Sequence, residues 1–125
     1  MKKILLVVTI GIFLFFLTFI NFPISKQNSI GKYVNRNYDS PICCVEAPHK
    51  TDTLILFEEG KFTSQFYGIG HYEIGSGFET EITLHCKSKN FNEGLLIRTY
   101  FENKILEKPR IILNADMNHY YEKID

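Results

Sequence analysis

The distribution of apolar residues divides the chain into two unlike parts. Residues 4–22 (ILLVVTIGIFLFFLTFINF) carry no charged side chain. As a helix they reach ~28 Å at ~1.5 Å per residue, close to the ~30 Å hydrocarbon core of a bilayer. From Ile30 onward, the apolar residues fall into short runs separated by turn-forming residues. We therefore predict a continuous helix over 4–22 that is halted at Pro23, followed by a β domain.

Eight runs in the second part are rich in Ile, Leu, Thr, Tyr and Phe, and several alternate apolar with polar positions, as half-buried strands do. The predicted strands are 30–36, 53–58, 61–67, 70–74, 79–87, 94–102, 109–114 and 118–124. In the run 79–87, Ile82, Leu84 and Cys86 share one face, so we expect all three to be buried. Residues 92–108 also fit a helix with apolar pairs four apart, but their β-branched and aromatic content favours a strand.

Turn signals join these runs into consecutive hairpins. Gly60 in EEGK predicts a tight turn between 53–58 and 61–67, and GSG at 75–77 predicts one between 70–74 and 79–87. About eight antiparallel strands in a domain of about 100 residues tend to curl closed. The predicted fold class is all-β, a small antiparallel up-and-down barrel or half-barrel of about eight strands, preceded by one N-terminal transmembrane helix.

Three stretches pair a glycine with an aromatic residue: GKY at 31–33, DTLILFEEGKF at 52–62 and GIGHY at 68–72. Together, over residues 31–75, they resemble the bacterial lipocalin-like small β-barrel domains, whose first strand carries a glycine and an aromatic residue. The resemblance implies the same barrel architecture. We expect the 11 Phe and 7 Tyr of the chain to fill most of the barrel interior.

The charges around the apolar segment predict its orientation. Lys2 and Lys3 precede it and only Lys26 lies close behind it, which predicts a cytoplasmic amino terminus. Residues 1–25 are thus a predicted N-terminal membrane anchor or signal sequence, and 26–125 an extracytoplasmic β domain. The predicted location is the cytoplasmic membrane, single-pass, or outside it if the segment is cleaved. With 14 basic and 14 acidic residues and no basic run, the chain is not expected to bind nucleic acid.

The glycine- and histidine-rich stretch 68–86 invites a search for a phosphate or metal site. A dinucleotide fingerprint needs glycine where Glu73 stands and a helix where a strand is predicted. The four histidines of the chain lie in four separate segments without metal-ligand spacing. With a turn at 75–77, His71 is expected opposite a residue near Ile82 and away from His85. Neither a metal site nor a cofactor is predicted.

The cysteines leave two alternatives open. In an oxidising compartment, Cys43 or Cys44 pairs with Cys86, and of these we choose Cys44; otherwise all three are buried thiols that act as small apolar side chains. The segment 37–52 is long for a loop in so small a domain, a length typical of binding loops. Its Cys43 and His49 are therefore predicted to belong to a partner-binding loop.

No arrangement of residues in the sequence predicts a catalytic site. The predicted function is accordingly a membrane-anchored extracytoplasmic binding or interaction module without catalytic activity. Its predicted partners are the membrane, through the N-terminal helix, and an envelope protein or a small apolar ligand. The alternative is a cysteine-dependent redox or thiol enzyme of the cell envelope, with His49 as the base.

Overall fold

The computed structural model is a closed antiparallel barrel of eight strands that follows an N-terminal helix. The structure describes residues 1–39, 47–87 and 94–125. Its elements are α1 (Lys2–Leu17), α2 (Lys26–Ser29), β1 (Gly31–Arg36), β2 (Thr53–Leu56), β3 (Lys61–Ser64), β4 (Gly68–Gly75), β5 (Glu81–Cys86), β6 (Leu95–Glu102), β7 (Arg110–Asn114) and β8 (His119–Lys123). Each strand pairs with the next, and β8 pairs with β1 to close the barrel. The prediction of an antiparallel up-and-down barrel is confirmed.

The barrel interior is filled by large apolar and aromatic side chains. Ile82, Leu84 and Cys86 are buried, as the alternation in β5 predicts. They belong to one cluster with Ile24, Tyr33, Leu54, Leu56, Phe62, Tyr67, Tyr72, Phe101, Ile111 and Tyr121. Burial of this apolar surface is the main stabilising contribution to the fold.

Two glycines occupy positions that disfavour a side chain, one through its backbone conformation and one through lack of space. Gly60 lies in the turn between β2 and β3 with φ of +76°, the left-handed conformation that its sequence context predicts. Gly70 lies where β4 passes close to its neighbours. A Cβ at this position would meet the carbonyl oxygen of His85 at 2.2 Å and the ring of Phe62 at 2.7 Å.

The hairpin of β4 and β5 differs from its prediction in register. The connection comprises residues 76–80 instead of a tight turn at 75–77, because the β4–β5 ladder continues to the pair Gly75 and Glu81. His71 consequently pairs with His85 and not with a residue near Ile82. The expectation that the two histidines lie apart is therefore wrong.

Helix α1 ends earlier than predicted, at Leu17. The N–H groups of residues 18–20 bond three residues back instead of four, which tightens the chain. Asn21 is then held by the end of β6: its amide nitrogen donates to the Phe101 carbonyl at 3.0 Å, and its amide oxygen accepts from the Asn103 N–H at 2.6 Å. The prediction of a continuous helix over 4–22 is wrong.

Among the residues that the structure describes, no helix combines the length and the apolar character needed to cross a bilayer. The predicted transmembrane helix is thus corrected to a helix of 16 residues.

The chain between α1 and β1 packs against the barrel. Ile24 is buried in the core cluster, and its N–H donates to the Thr80 hydroxyl at 3.0 Å. Residues 26–29 form the short helix α2, which begins after the capping residue Ser25. The Tyr33 hydroxyl donates to the Ser29 carbonyl at 2.6 Å. These contacts fix the position at which α1 leaves the barrel.

Candidate functional site

The antiparallel order gives the barrel two distinct ends. The helix end comprises the connections 57–60, 76–80 and 103–109, the chain that follows α1, and residues 124–125 after β8. The far end comprises the other connections, of which residues 37–39, 47–52, 65–67, 87, 94 and 115–118 are described.

Exposed apolar side chains concentrate at the helix end. Outside the N-terminal segment, the exposed large apolar residues of the described barrel are Phe57, Ile69, Phe78, Leu96, Ile105, Leu106 and Ile124. All except Ile69 and Leu96, which lie on the strands, belong to the helix end. Phe78 is 102% exposed and Leu106 is 81% exposed. We call Phe57, Phe78, Ile105, Leu106 and Ile124 the apolar rim.

Helix α1 itself has no buried residue, and it is apolar on all sides after Lys3. Because Asn21 and Phe22 bond to the end of β6, α1 leaves the barrel beside the connections that carry Phe78 and Leu106. An open cleft of about 550 Å³ lies at the same end, between the linker 23–26 and the end of β4. Helix α1 and the apolar rim therefore lie at the same end of the barrel.

The far end is polar and is organised by the buried carboxylate of Asp52. One of its oxygens accepts hydrogen bonds from the hydroxyls of Ser64, at 2.6 Å, and Tyr121, at 2.5 Å. The other accepts from the backbone N–H groups of Gln65, at 2.8 Å, and Phe66, at 3.3 Å. Burial, followed by nearby tyrosine and carboxylate charge, raises the pKa of Tyr121 well above its usual range. The network thus joins the start of β2, the β3–β4 turn and β8.

His49, which belongs to the predicted partner-binding loop and is among the described residues, lies at the far end. It lines an open depression of about 310 Å³ together with Asp52, Gln65 and Phe66. The neighbouring His119 is fully buried, and neither ring nitrogen has a hydrogen-bond partner among the described residues. Burial, and secondly the charge of His49, lowers the pKa of His119. Among the described residues of the far end, His119 is therefore a buried imidazole that resists protonation.

Of the predicted cysteine site, Cys86 lies among the described residues. Cys86 is buried and carries a free thiol, and burial raises its pKa to about 11. Cys43 and Cys44 lie outside the described residues, so the pairing of Cys44 with Cys86 stays a prediction. A protonated, buried thiol is a poor nucleophile because the thiolate is the reactive form.

On the outer wall of the barrel, the observed register brings three potential metal ligands together. His71 and His85 stack in parallel across β4 and β5, with ring centroids 4.4 Å apart. Glu73, two residues beyond His71 on the same face, places a carboxylate oxygen 3.7 Å from Nε2 of His85. One ligand atom of each residue lies within 4.8 Å of the other two.

Sequence spacing did not reveal this cluster because the pairing of two strands creates it. A connection of five residues between Gly75 and Glu81 places His71 opposite His85, whereas the shorter turn that we predicted shifts the strands past one another. The signal that could have found the cluster was the side-chain alternation, which puts His71, Glu73 and His85 on the outer face for either loop length.

Comparisons with models of known protein families, with curated proteins and with solved structures return no match. Fold and surface therefore define the class of the protein: a small closed β-barrel with an apolar N-terminal helix. The resemblance of residues 31–75 to lipocalin-like domains extends to the barrel architecture alone.

Proposed function

We propose that this protein is a membrane-associated, extracytoplasmic binding or interaction module that seats the helix end of its barrel against a lipid bilayer. The observation that carries the proposal is the position of the apolar rim. Five of the seven exposed large apolar side chains of the described barrel lie at the end from which α1 leaves it. In the proposed orientation the bilayer covers both the helix and the rim, because both lie at the same end of the barrel.

The N-terminal segment supports the proposal without having to span the membrane. The uncharged part of α1, residues 4–17, matches the apolar region of a signal sequence, which needs about 7–15 residues, and an inserted apolar helix also tethers a protein to one leaflet. Lys2 and Lys3 stand before it, as in both kinds of segment. Export to the outer face of the cytoplasmic membrane is the location that we propose.

Apolar insertion, not charge, is the proposed driving force. The chain has a formal net charge of zero, and the helix end carries acidic as well as basic residues, such as Glu107 and Lys104. Fully burying an apolar side chain the size of Leu or Phe is worth about 1.5–3 kcal/mol. Several rim residues together therefore contribute enough to orient the barrel, even when each is only partly inserted.

In this orientation the far end faces away from the bilayer and is free to meet a partner. The depression beside His49 and Phe66 is the proposed contact region. A partner protein of the cell envelope fits better than a small apolar ligand held inside the barrel, because core side chains occupy the interior. The thiol-enzyme alternative has less support, since burial keeps the Cys86 thiol protonated at neutral pH.

Vesicle flotation tests the proposal. The full chain is mixed with phosphatidylethanolamine–phosphatidylglycerol vesicles, and the floating fraction is compared between two double variants. Phe78→Ser with Leu106→Ser removes rim residues, whereas Ile69→Ser with Leu96→Ser removes equally apolar, exposed residues from the barrel wall.

We expect the rim variant to lower the partition coefficient about tenfold or more, the equivalent of about 1.4 kcal/mol. The wall variant should float like the unmodified chain. Equal flotation of the rim variant and the unmodified chain would refute the proposed orientation.

A further inference from the structure

We propose that His71, Glu73 and His85 bind a divalent transition-metal ion, with Zn²⁺ as the reference ion, on the outer wall of the barrel. The proposal does not depend on the membrane orientation, because the cluster lies on β4 and β5 and includes no rim residue. It rests on the donor set, on its geometry and on the unsatisfied nitrogen of His85.

The donor set is chemically suited to zinc. Two imidazoles and one carboxylate supply three ligands, and they leave a fourth position for water or for a group from a partner. Imidazole nitrogen also suits Cu²⁺ and Ni²⁺. Ca²⁺ and Mg²⁺, by contrast, prefer sites made entirely of oxygen ligands, which two of these three residues cannot provide.

The geometry needs only small rotations of side chains. Ligands of a tetrahedral zinc ion with ~2.0–2.1 Å bonds lie ~3.3 Å apart, and one ligand atom of each residue is already within 4.8 Å of the others. His71 and Glu73 are exposed, so their side chains can turn toward a shared ion. Cross-strand pairing meanwhile holds the two imidazoles side by side.

The Nε2 atom of His85 is an unsatisfied ligand atom of the cluster. This atom is buried and has no hydrogen-bond partner among the described residues, although a carboxylate oxygen of Glu73 lies 3.7 Å away. A buried polar atom without a partner is costly, and a metal ion bound between His85 and Glu73 satisfies it. The strand neighbour of His71 on the other side is Lys61, whose ammonium group is paired with Glu59 at 3.0 Å.

An open groove of about 330 Å³ continues from the two histidines along β5 and β6, past Leu95 and Leu96. In this groove there is room for the water molecule or partner group that takes the fourth coordination position of the metal. The buried Cys86 also borders the groove, but it belongs to the core cluster and lies on the opposite face of β5 from His85.

Isothermal titration of the full chain in nonionic detergent with ZnCl₂ tests the site, and the EPR spectrum of the Cu²⁺ form reports the number of coordinated nitrogens. The ligand variants are His71→Asn and His85→Asn. The matched controls are His49→Asn, a histidine of the far end, and Glu81→Gln, an outward-facing carboxylate of the same hairpin. Far-UV circular dichroism checks that each variant retains the barrel.

We expect one Zn²⁺ per chain, a loss of affinity of about tenfold or more in each ligand variant, and unchanged affinity in both controls. The Cu²⁺ spectrum should show two imidazole nitrogens, and one in His71→Asn. Because His71 is exposed, its replacement is not expected to unfold the barrel. Absence of zinc binding, or zinc binding that is lost in His49→Asn and retained in His71→Asn, would overturn the proposal.

Discussion

Replacement of Asp52 by alanine tests whether its buried carboxylate holds the far end together. The side chain accepts four hydrogen bonds, two from hydroxyls and two from backbone N–H groups. Asp52 is 3% exposed and Tyr121 is fully buried. Water therefore cannot easily replace the carboxylate at the Tyr121 hydroxyl, and the variant leaves a buried donor without this acceptor.

The cost follows from those contacts. A hydrogen bond to a charged group contributes about 1.5–3 kcal/mol, and a buried donor left unsatisfied costs about 1–3 kcal/mol. The bonds from the Tyr121 and Ser64 hydroxyls are the buried ones, whereas the N–H groups of Gln65 and Phe66 are only partly buried and can bind water. We expect Asp52→Ala to lower the free energy of unfolding by about 3–5 kcal/mol, a large part of the about 5–15 kcal/mol typical of a folded domain.

Urea unfolding of the full chain in detergent measures this loss, followed by tyrosine fluorescence because the chain has no Trp. Asp116→Ala, which removes an exposed aspartate at the same end, is the control and should change the free energy of unfolding by less than about 0.5 kcal/mol. A double-mutant cycle with Tyr121→Phe should give a coupling energy of at least about 1 kcal/mol. Equal stability of Asp52→Ala and Asp116→Ala would refute the role of the network.

Two further predictions concern buried titratable groups. The pKa of His119 is lowered from its ordinary value of 6.5, so below about pH 6.5 the unfolded chain binds a proton that the folded chain does not. As the pH falls further, the free energy of unfolding should then decrease by up to about 1.4 kcal/mol per pH unit until the pKa of folded-state His119 is reached. His119→Leu should lose this share of the pH dependence in thermal melts between pH 4.5 and 7.5, and an unchanged profile would contradict it. Under reducing conditions at pH 7.5, the buried Cys86 should resist iodoacetamide until urea unfolds the barrel, which peptide mass spectrometry can detect; labelling of Cys86 in the folded chain would contradict its burial.

The strands were predictable because local sequence and tertiary structure agree in them. In β5, the alternation of Ile82, Leu84 and Cys86 fixes which face is buried, and Gly60 marks a turn that only a residue tolerant of positive φ forms easily. The end of α1 was not predictable in this way. Asn21 stops the helix through bonds to Phe101 and Asn103, residues about eighty positions away in the sequence that no local pattern connects to it.

The candidate metal site was also predictable only in part from the local sequence. The outward facing of His71, Glu73 and His85 follows from alternation, but whether the two histidines meet depends on the length of one connection. The ladder continues to the pair Gly75 and Glu81, which leaves five residues in the connection. The register of β4 against β5 decides between a pair of stacked imidazoles and two separate surface histidines.

Both proposals place a function on the β4–β5 hairpin, but on different parts of it. Its connection carries Phe78 at the helix end, while its strands carry the three candidate ligands on the wall. A bilayer that covers the apolar rim therefore leaves the wall in contact with water, and the candidate metal site stays accessible when the barrel is seated. Since Glu73 lies only five residues before Phe78, a metal ion that joins the two strands also restrains the connection that presents Phe78 to the bilayer. We therefore expect Zn²⁺ to strengthen vesicle flotation of the unmodified chain and to leave that of His71→Asn unchanged.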